Sequence, residues 1–405
     1  MKEFSACRIA TLQSAIVVAE FLGTCLWFSA AAVSSEIGQS VGYGSGGPLD
    51  LSSAVQVGFV VGTLLIGLTG FADRFRASRI FAASAVFGAV ANALIAVCPP
   101  NLSLIQMCRF ATGLALAGVY PVGMKLVVSW DRDAAGRVLG WLVAMLTLGT
   151  AFPHMIRYLN AGYDWHATII AASILACAAA LIVLAIGDGP GAQNGRRTRV
   201  HLRDALRAFQ GPKLASAALG YLGHMWELYA FWSLVPLLVA ATREAPALSV
   251  SLMSFLIIAT GALGSVIGGF LSRRAGSRAI ALIGLAGSAA ACAVVPIVQS
   301  SSIFLIMLFV WGFFVIPDSP QLSSLAVAAC RSDEVASTLA ILNGAGFLLT
   351  IASIKLSLAC WPQMGVAVAW LLLPGPIAGF FALFPFQKVR DRAAQSASRF
   401  VQSIW

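Results

Sequence analysis

Long apolar runs separated by short polar loops organise this chain from end to end. A helix needs about 20 apolar residues to cross roughly 30 Å of hydrocarbon at 1.5 Å per residue. Twelve runs approach or exceed that length: residues 10–33, 51–72, 80–98, 102–128, 138–155 and 167–186, then 214–240, 248–271, 279–298, 303–328, 335–357 and 364–386. Glycine and proline within them are tolerated, because neighbouring helices in a membrane bundle satisfy the freed backbone groups. The pattern predicts an all-α membrane protein with twelve transmembrane helices.

The polar punctuation repeats. Gly70-Phe71-Ala72-Asp73-Arg74-Phe75-Arg76-Ala77-Ser78-Arg79 lies 199 positions ahead of Gly269-Phe270-Leu271-Ser272-Arg273-Arg274-Ala275-Gly276-Ser277-Arg278, with Gly, Phe, Arg, Ser and Arg at matching places. A repeat near half the chain length predicts two similar halves. They are a six-helix bundle over 1–187, a basic linker over 188–213, a second bundle over 214–386 and a tail over 387–405. Within the linker, residues 200–207 have the spacing of a short amphipathic helix, suited to anionic lipid headgroups.

Composition strengthens this reading. A chain that is 59% hydrophobic and 10% charged, with mean hydropathy +0.87, cannot cover a soluble core with polar surface. The net charge of +10 would suit nucleic acid, but its placement points to topology. With the N-terminus inside, 21 of the 26 Lys and Arg fall in cytoplasmic segments. Both termini are therefore expected in the cytoplasm, in a multi-pass protein of the plasma (inner) membrane. The first run exceeds a signal-peptide core and holds Glu20, so it is expected to remain as a helix. Eight scattered cysteines, with no C-x-x-C spacing, imply neither a disulfide framework nor a metal site.

Function should lie where polar residues are expensive. A charge at the bilayer centre costs about 2.5–3.5 kcal/mol on insertion scales, so an acid there usually faces a cavity or a partner. Glu20, Glu227 and Asp318 fall inside predicted spans. Glu20 precedes Trp27, and Glu227 precedes Trp232, which suggests polar groups and stacking surfaces around a midplane cavity. His224 shares a helix face with Glu227. Asp318 lies between Pro317 and Pro320, where a helix should break. His154 and Arg157 fall near the outer mouth of the fifth run, placed to meet an anionic solute or to cap a loop.

The first polar loop resembles the signature loop of the major facilitator superfamily, a glycine, an acid and a basic cluster between the second and third helices. Arg76 stands where that family usually has glycine, and the second copy has Ser272 in place of the acid. Arg109-Phe110-Ala111-Thr112-Gly113-Leu114-Ala115-Leu116-Ala117-Gly118 is similar to the family's fourth-helix motif, an arginine with glycines four and nine residues on. The resemblance implies two rocking bundles with a midplane site. It also implies that Gly70, Asp73, Arg74 and Arg79 form a loop that steadies one access state, and that Arg109 takes part in substrate or proton coupling. The separated Gly149 and Pro153 do not form the antiporter Gly-Pro pair, and the second and eighth runs lack the arginines of nitrate porters.

The expected function is secondary transport of a small solute by alternating access, coupled to protons through Glu20, Glu227 or both, with no cofactor. No nucleotide-binding G-x-x-x-x-G-K loop occurs. A lipid-acting membrane enzyme and a non-transporting receptor are the rival readings. Neither gains a catalytic cluster or a soluble sensor domain from the sequence.

Overall fold

The computed structural model describes residues 6–43, 48–69, 71–131, 135–192, 209, 211–242, 249–330 and 335–384, with the side chains at 6, 68, 73, 135–139, 335–337 and 340 left undescribed. The linker helix expected at 200–207, Gly70, the tail and the side chain of Asp73 lie outside the description.

Helices account for the described chain, and no strand occurs among the described residues. In the first half they are α1 (Ala6–Thr24), the short α2 (Ser34–Ser40), α3 (Ser53–Thr69), the one-turn α4 (Phe71–Arg74), α5 (Ala77–Val97), α6 (Leu102–Leu116), α7 (Tyr120–Trp130), α8 (Ala135–Leu159) and α9 (Trp165–Ile186). In the second half they are α10 (Pro212–Ala240), α11 (Val250–Ala275), α12 (Ser277–Val294), α13 (Ser301–Phe314), α14 (Asp318–Ala329), α15 (Val335–Met364) and α16 (Pro374–Leu383). Among the described residues nine helical runs are long and apolar enough to cross a membrane. One of these, Ile341–Leu383, is 43 residues long and folds back on itself at Gly365, whose φ of 54° favours glycine. Ser53–Gly67 is a shorter apolar helix. The 29-residue α10 is long enough to span but carries His224 and Glu227. The arrangement agrees with twelve crossings. Side chains on the outer face, such as Met107, Leu181, Leu263 and Leu348, stand at least 60% exposed, as a lipid-facing surface requires.

Four predicted spans are not continuous, the twelfth because a 3-10 stretch over Gly365–Leu371 comes before α16. The first helix ends at Thr24, and residues 25–30 run irregularly before a 3-10 turn at Ala31–Val33, so Trp27 does not sit on a helix as the apolar run had suggested. The fourth span breaks at 117–119, between α6 and α7. The tenth breaks at 315–317, between α13 and α14, where the prolines had predicted it. Caps mark several ends: Asn101, Asp164 and Ser249 each accept from a backbone N–H in the first turn that follows.

The two halves repeat each other in their packing. Gly113 of α6 lies directly against the backbone carbonyl of Val55 on α3, and Gly312, 199 residues on, lies against that of Ile257 on α11. A side chain at either position would collide with its neighbour's backbone, so these glycines set the close approach of the second and fourth spans in each half. Within the first half α5 packs on α9, and α1 on α8 and α9. In the second, α10 packs on α15 and α16. Between the halves, α8 lies along α11 and α3 along α15.

Candidate functional site

Between these two seams lies a cavity of about 460 Å³, walled by α3, α7, α8, α10, α14 and α15. Six aromatic rings line it, Phe59, Tyr120, Tyr221, Tyr229, Trp232 and Phe347, beside aliphatic side chains such as Met124, Leu146, Met225 and Leu228. Thr63, Thr147, Ser319, Ser323, Ser324 and Asn343 supply its polar groups. Gly140, Pro320 and Ser324 also line a vestibule of about 680 Å³ whose other walls include Phe270, Ser272 and Arg273. The cavity therefore communicates with the end of the molecule that carries the basic loops.

The opposite end is shut by stacked rings from both halves. Trp27 lies 5.5 Å from Tyr229 and 5.8 Å from Phe347, Phe59 lies 4.3 Å from Phe347, and Phe28 lies 6.0 Å from Trp232. These separations suit tilted and edge-to-face aromatic contact. Beyond the rings lies a void of about 40 Å³, lined by Phe28, His154 and Trp232 among others. Lys355 Nζ adds a cross-half ion pair to Asp50 at 3.7 Å on that side. It is mostly exposed, and contributes little by itself.

Arg109 holds the closure in place from below. Its fully buried guanidinium donates to the carbonyls of Leu26 (3.0 Å), Trp27 and Leu51 (3.3 Å), to Ser29 Oγ (3.2 Å) and to Asn92 Oδ1 (3.3 Å). Three of these acceptors belong to the irregular 25–30 segment. The segment unwinds because a guanidinium fork from the fourth span replaces the missing helical donors, and this positions Trp27 and Phe28. None of these partners is a carboxylate, and Arg109 does not line the cavity.

The acids sit one layer behind the cavity wall. Glu227 Oε1 accepts from Trp311 Nε1 at 2.6 Å and Oε2 from Ser288 Oγ at 3.0 Å. His224 Nδ1 lies 3.0 and 3.1 Å from the two oxygens of Asp318, the first residue of α14. Gly284 of α12 packs on Asp318, where a side chain would crowd it. His224, Glu227 and Asp318 thus form one buried polar cluster tying α10, α12, α13 and α14. Glu20 is buried in the first half against Gly123, and neither of its oxygens has a hydrogen-bond partner among the described residues. Of the residues singled out in the sequence, the structure brings Trp232 to the cavity and Trp27 to its closed end, and places Glu20, Arg109, His224, Glu227 and Asp318 behind the wall.

The remaining candidates lie at the two ends. His154 is buried beside the small void, while Arg157 pairs with Glu36 (Nη2 to Oε1 2.8 Å, Nε to Oε1 2.9 Å) and donates to the carbonyls of Asn160 and Tyr163. In this structure Arg157 thus holds the loop at 160–163. At the basic end Arg74 and Arg79 are exposed. Lys125 Nζ donates to Ala72 O at 2.5 Å, and Asp188 Oδ1 accepts from the N–H of Ser78 at 2.7 Å, so the loop is braced by the fourth span and by the start of the linker.

Residues 14–354 match the sequence model of the Major Facilitator Superfamily. The chain belongs to this superfamily. The niacin transporter NiaP of Acinetobacter baylyi (strain ATCC 33305 / BD413 / ADP1) is 32% identical over 132 residues, which cover 29% of this chain and only 28% of that protein. The human organic anion transporter MFSD10 (TETRAN) has a similar solved structure, with a TM-score of 0.74 at 16% identity, covering 93% of this chain and 99% of that one. At that identity the likeness is one of fold. The chain is a multi-pass membrane protein of major facilitator architecture.

Sequence reading of this superfamily member missed the tyrosines of the cavity, Tyr120, Tyr221 and Tyr229, and the support residues Ser29, Asn92 and Asp188. A tyrosine in a span is cheap and gives no warning. Asn92 was the better signal, since a buried amide within an apolar run needs partners. It has them in Ser29 Oγ, Ser173 Oγ and the carbonyl of Ile169.

Proposed function

We propose that this protein is a secondary transporter that carries a small organic solute by alternating access, driven by protons. The observation that carries the proposal is the asymmetric cavity. A ring-lined chamber between two repeated bundles opens toward one end and is stacked shut at the other, as one of two access states would be. With the basic loops in the cytoplasm of a plasma (inner) membrane protein, as the distribution of Lys and Arg favours, this is the inward-open state. The relatives' names support small organic cargo as a class. Asp73 and the basic residues of the signature loop then serve the opposite state, by closing the basic end across the halves.

Proton coupling is supported by where the acids sit. Glu227 accepts two hydrogen bonds, from donors on α12 and α13. Adding a proton turns one of its acceptor oxygens into a donor and forces that linkage to rearrange. Asp318 stands at the break of the tenth span and ties it to α10 through His224. Proton loading in this cluster changes how α10, α12, α13 and α14 are held together, and so biases one arrangement of the second half over the other. The test is reconstitution into liposomes with an imposed pH gradient and a panel of radiolabelled organic solutes. Glu227→Gln, which keeps the shape and fixes the charge, is expected to abolish gradient-driven accumulation while exchange persists. Unchanged gradient dependence in Glu227→Gln, Glu20→Gln and the double variant would overturn the proton assignment.

A further inference from the structure

The chemistry of the cavity narrows its cargo further, provided the transporter reading above holds. None of the described side chains lining the 460 Å³ chamber carries a formal charge. Among the described residues, the buried ionic groups near the chamber are engaged elsewhere or covered. Arg109 is spent on carbonyls and amide oxygen, His224 and Asp318 on each other, and Glu227 on Trp311 and Ser288. Glu20 lies against Gly123, outside the lining. An ion entering this chamber would shed its hydration and meet no counter-charge, which is costly in a low-dielectric site. The volume lies within the range of small-molecule sites, and the ring-rich walls suit a flat aromatic body.

A second observation concerns polarity. Trp232 is 2% exposed and lines the cavity, yet its Nε1–H meets no acceptor among the described residues. A buried indole N–H usually finds one. Nε1 has no accessible surface of its own, so the indole must turn to offer it, as interface side chains commonly do on binding. We propose that the cargo is a planar aromatic solute without net charge that carries a hydrogen-bond acceptor, such as an amide or ketone carbonyl, and that Trp232, turning on binding, presents its Nε1–H to that acceptor.

Three probes sharing one ring test this on the purified full-length protein in detergent, by calorimetric titration: benzamide, benzoate and benzyltrimethylammonium. Benzamide is expected to bind at least about ten-fold more tightly than either ion. Trp232→Phe is expected to weaken benzamide about five-fold, the worth of one hydrogen bond near 1 kcal/mol, and to leave toluene binding unchanged. Asn343→Asp, which puts a carboxylate into the chamber, is expected to reverse the preference toward benzyltrimethylammonium, and carries the test if Trp232→Phe does not fold. Equal or tighter binding of either ion by the unaltered protein, absence of benzamide binding, or full benzamide affinity in folded Trp232→Phe would overturn the proposal. Benzamide that binds but does not cross proteoliposome membranes removes the transport reading and leaves the ligand class. Gradient-driven movement of the ions without benzamide does the reverse.

Discussion

Replacing Arg109 by Met keeps much of the side-chain volume and removes the guanidinium from five acceptors. One of these retains a donor, because the single Ser29 hydroxyl hydrogen can go to Leu26 O at 3.0 Å or to Asn92 Oδ1 at 2.6 Å. The carbonyls of Trp27 and Leu51 lose theirs. Hydrogen bonds from a charged group contribute about 1.5–3 kcal/mol each, and part of that loss is returned because a cation no longer has to be buried. A net loss of about 3 kcal/mol follows. Spread over the unfolding entropy of a chain this size, it lowers the melting temperature by about 4 °C. Arg109→Lys should fall between the two, since an ammonium lacks the planar fork that serves several carbonyls at once. Stability alone does not distinguish a gate support from any other buried arginine. The second readout is therefore the closed end: on a cysteine-free background, a thiol at Ser34 should react several-fold faster with an impermeant reagent in Arg109→Met, because Trp27 and Phe28 are no longer held. Unchanged melting together with unchanged reactivity at Ser34 would refute the reasoning.

Two further outcomes follow from the packing and the charge distribution. Gly113→Ala and Gly312→Ala put a methyl group against a neighbouring backbone carbonyl, and each should cost about 1–3 kcal/mol, whereas Gly67→Ala, with nothing near the added carbon, should be neutral or slightly stabilising. Comparative thermal unfolding of the three variants checks this, and equal effects at all three would remove the glycine contacts as the cause. Single cysteines at Ser45 and Asn194 should differ in intact cells, with only the Ser45 thiol labelled by an impermeant reagent; labelling at Asn194 alone or at both would reverse or void the assigned orientation.

Much of the fold was legible because membrane helices are written in long apolar runs and because the chain repeats itself. Gly113 and Gly312 are spaced as Gly70 and Gly269 are, and at Gly113 and Gly312 the missing side chain lets a neighbouring backbone approach. The break in the tenth span was legible from Pro317 and Pro320. The break at 25–30 was not, since Cys25-Leu26-Trp27-Phe28 reads as uninterrupted helix, and its cause lies 80 residues away in Arg109. For the site, the cost of burying charge pointed to residues that sit one layer behind the cavity wall rather than on it. Glu20, Glu227 and Asp318 are buried as expected, but a span that is apolar toward both lipid and protein offers no contrast from which to read the direction of a side chain. Apart from Trp232, the cavity wall is built from other rings, aliphatic side chains, hydroxyls and one amide, none of them conspicuous within an apolar run.

Alternating access is the central claim, and spin-label distances across each end test it most directly. On a cysteine-free background one pair joins the basic loops at Arg79 and Arg278, and the other joins the closed end at Gln39 and Ser300, all exposed positions. Measured in lipid nanodiscs across a pH series and with added cargo, the two separations should move in opposite senses, the basic-end pair shortening as the closed-end pair lengthens. Two distances that stay fixed, or that change together, would contradict the account.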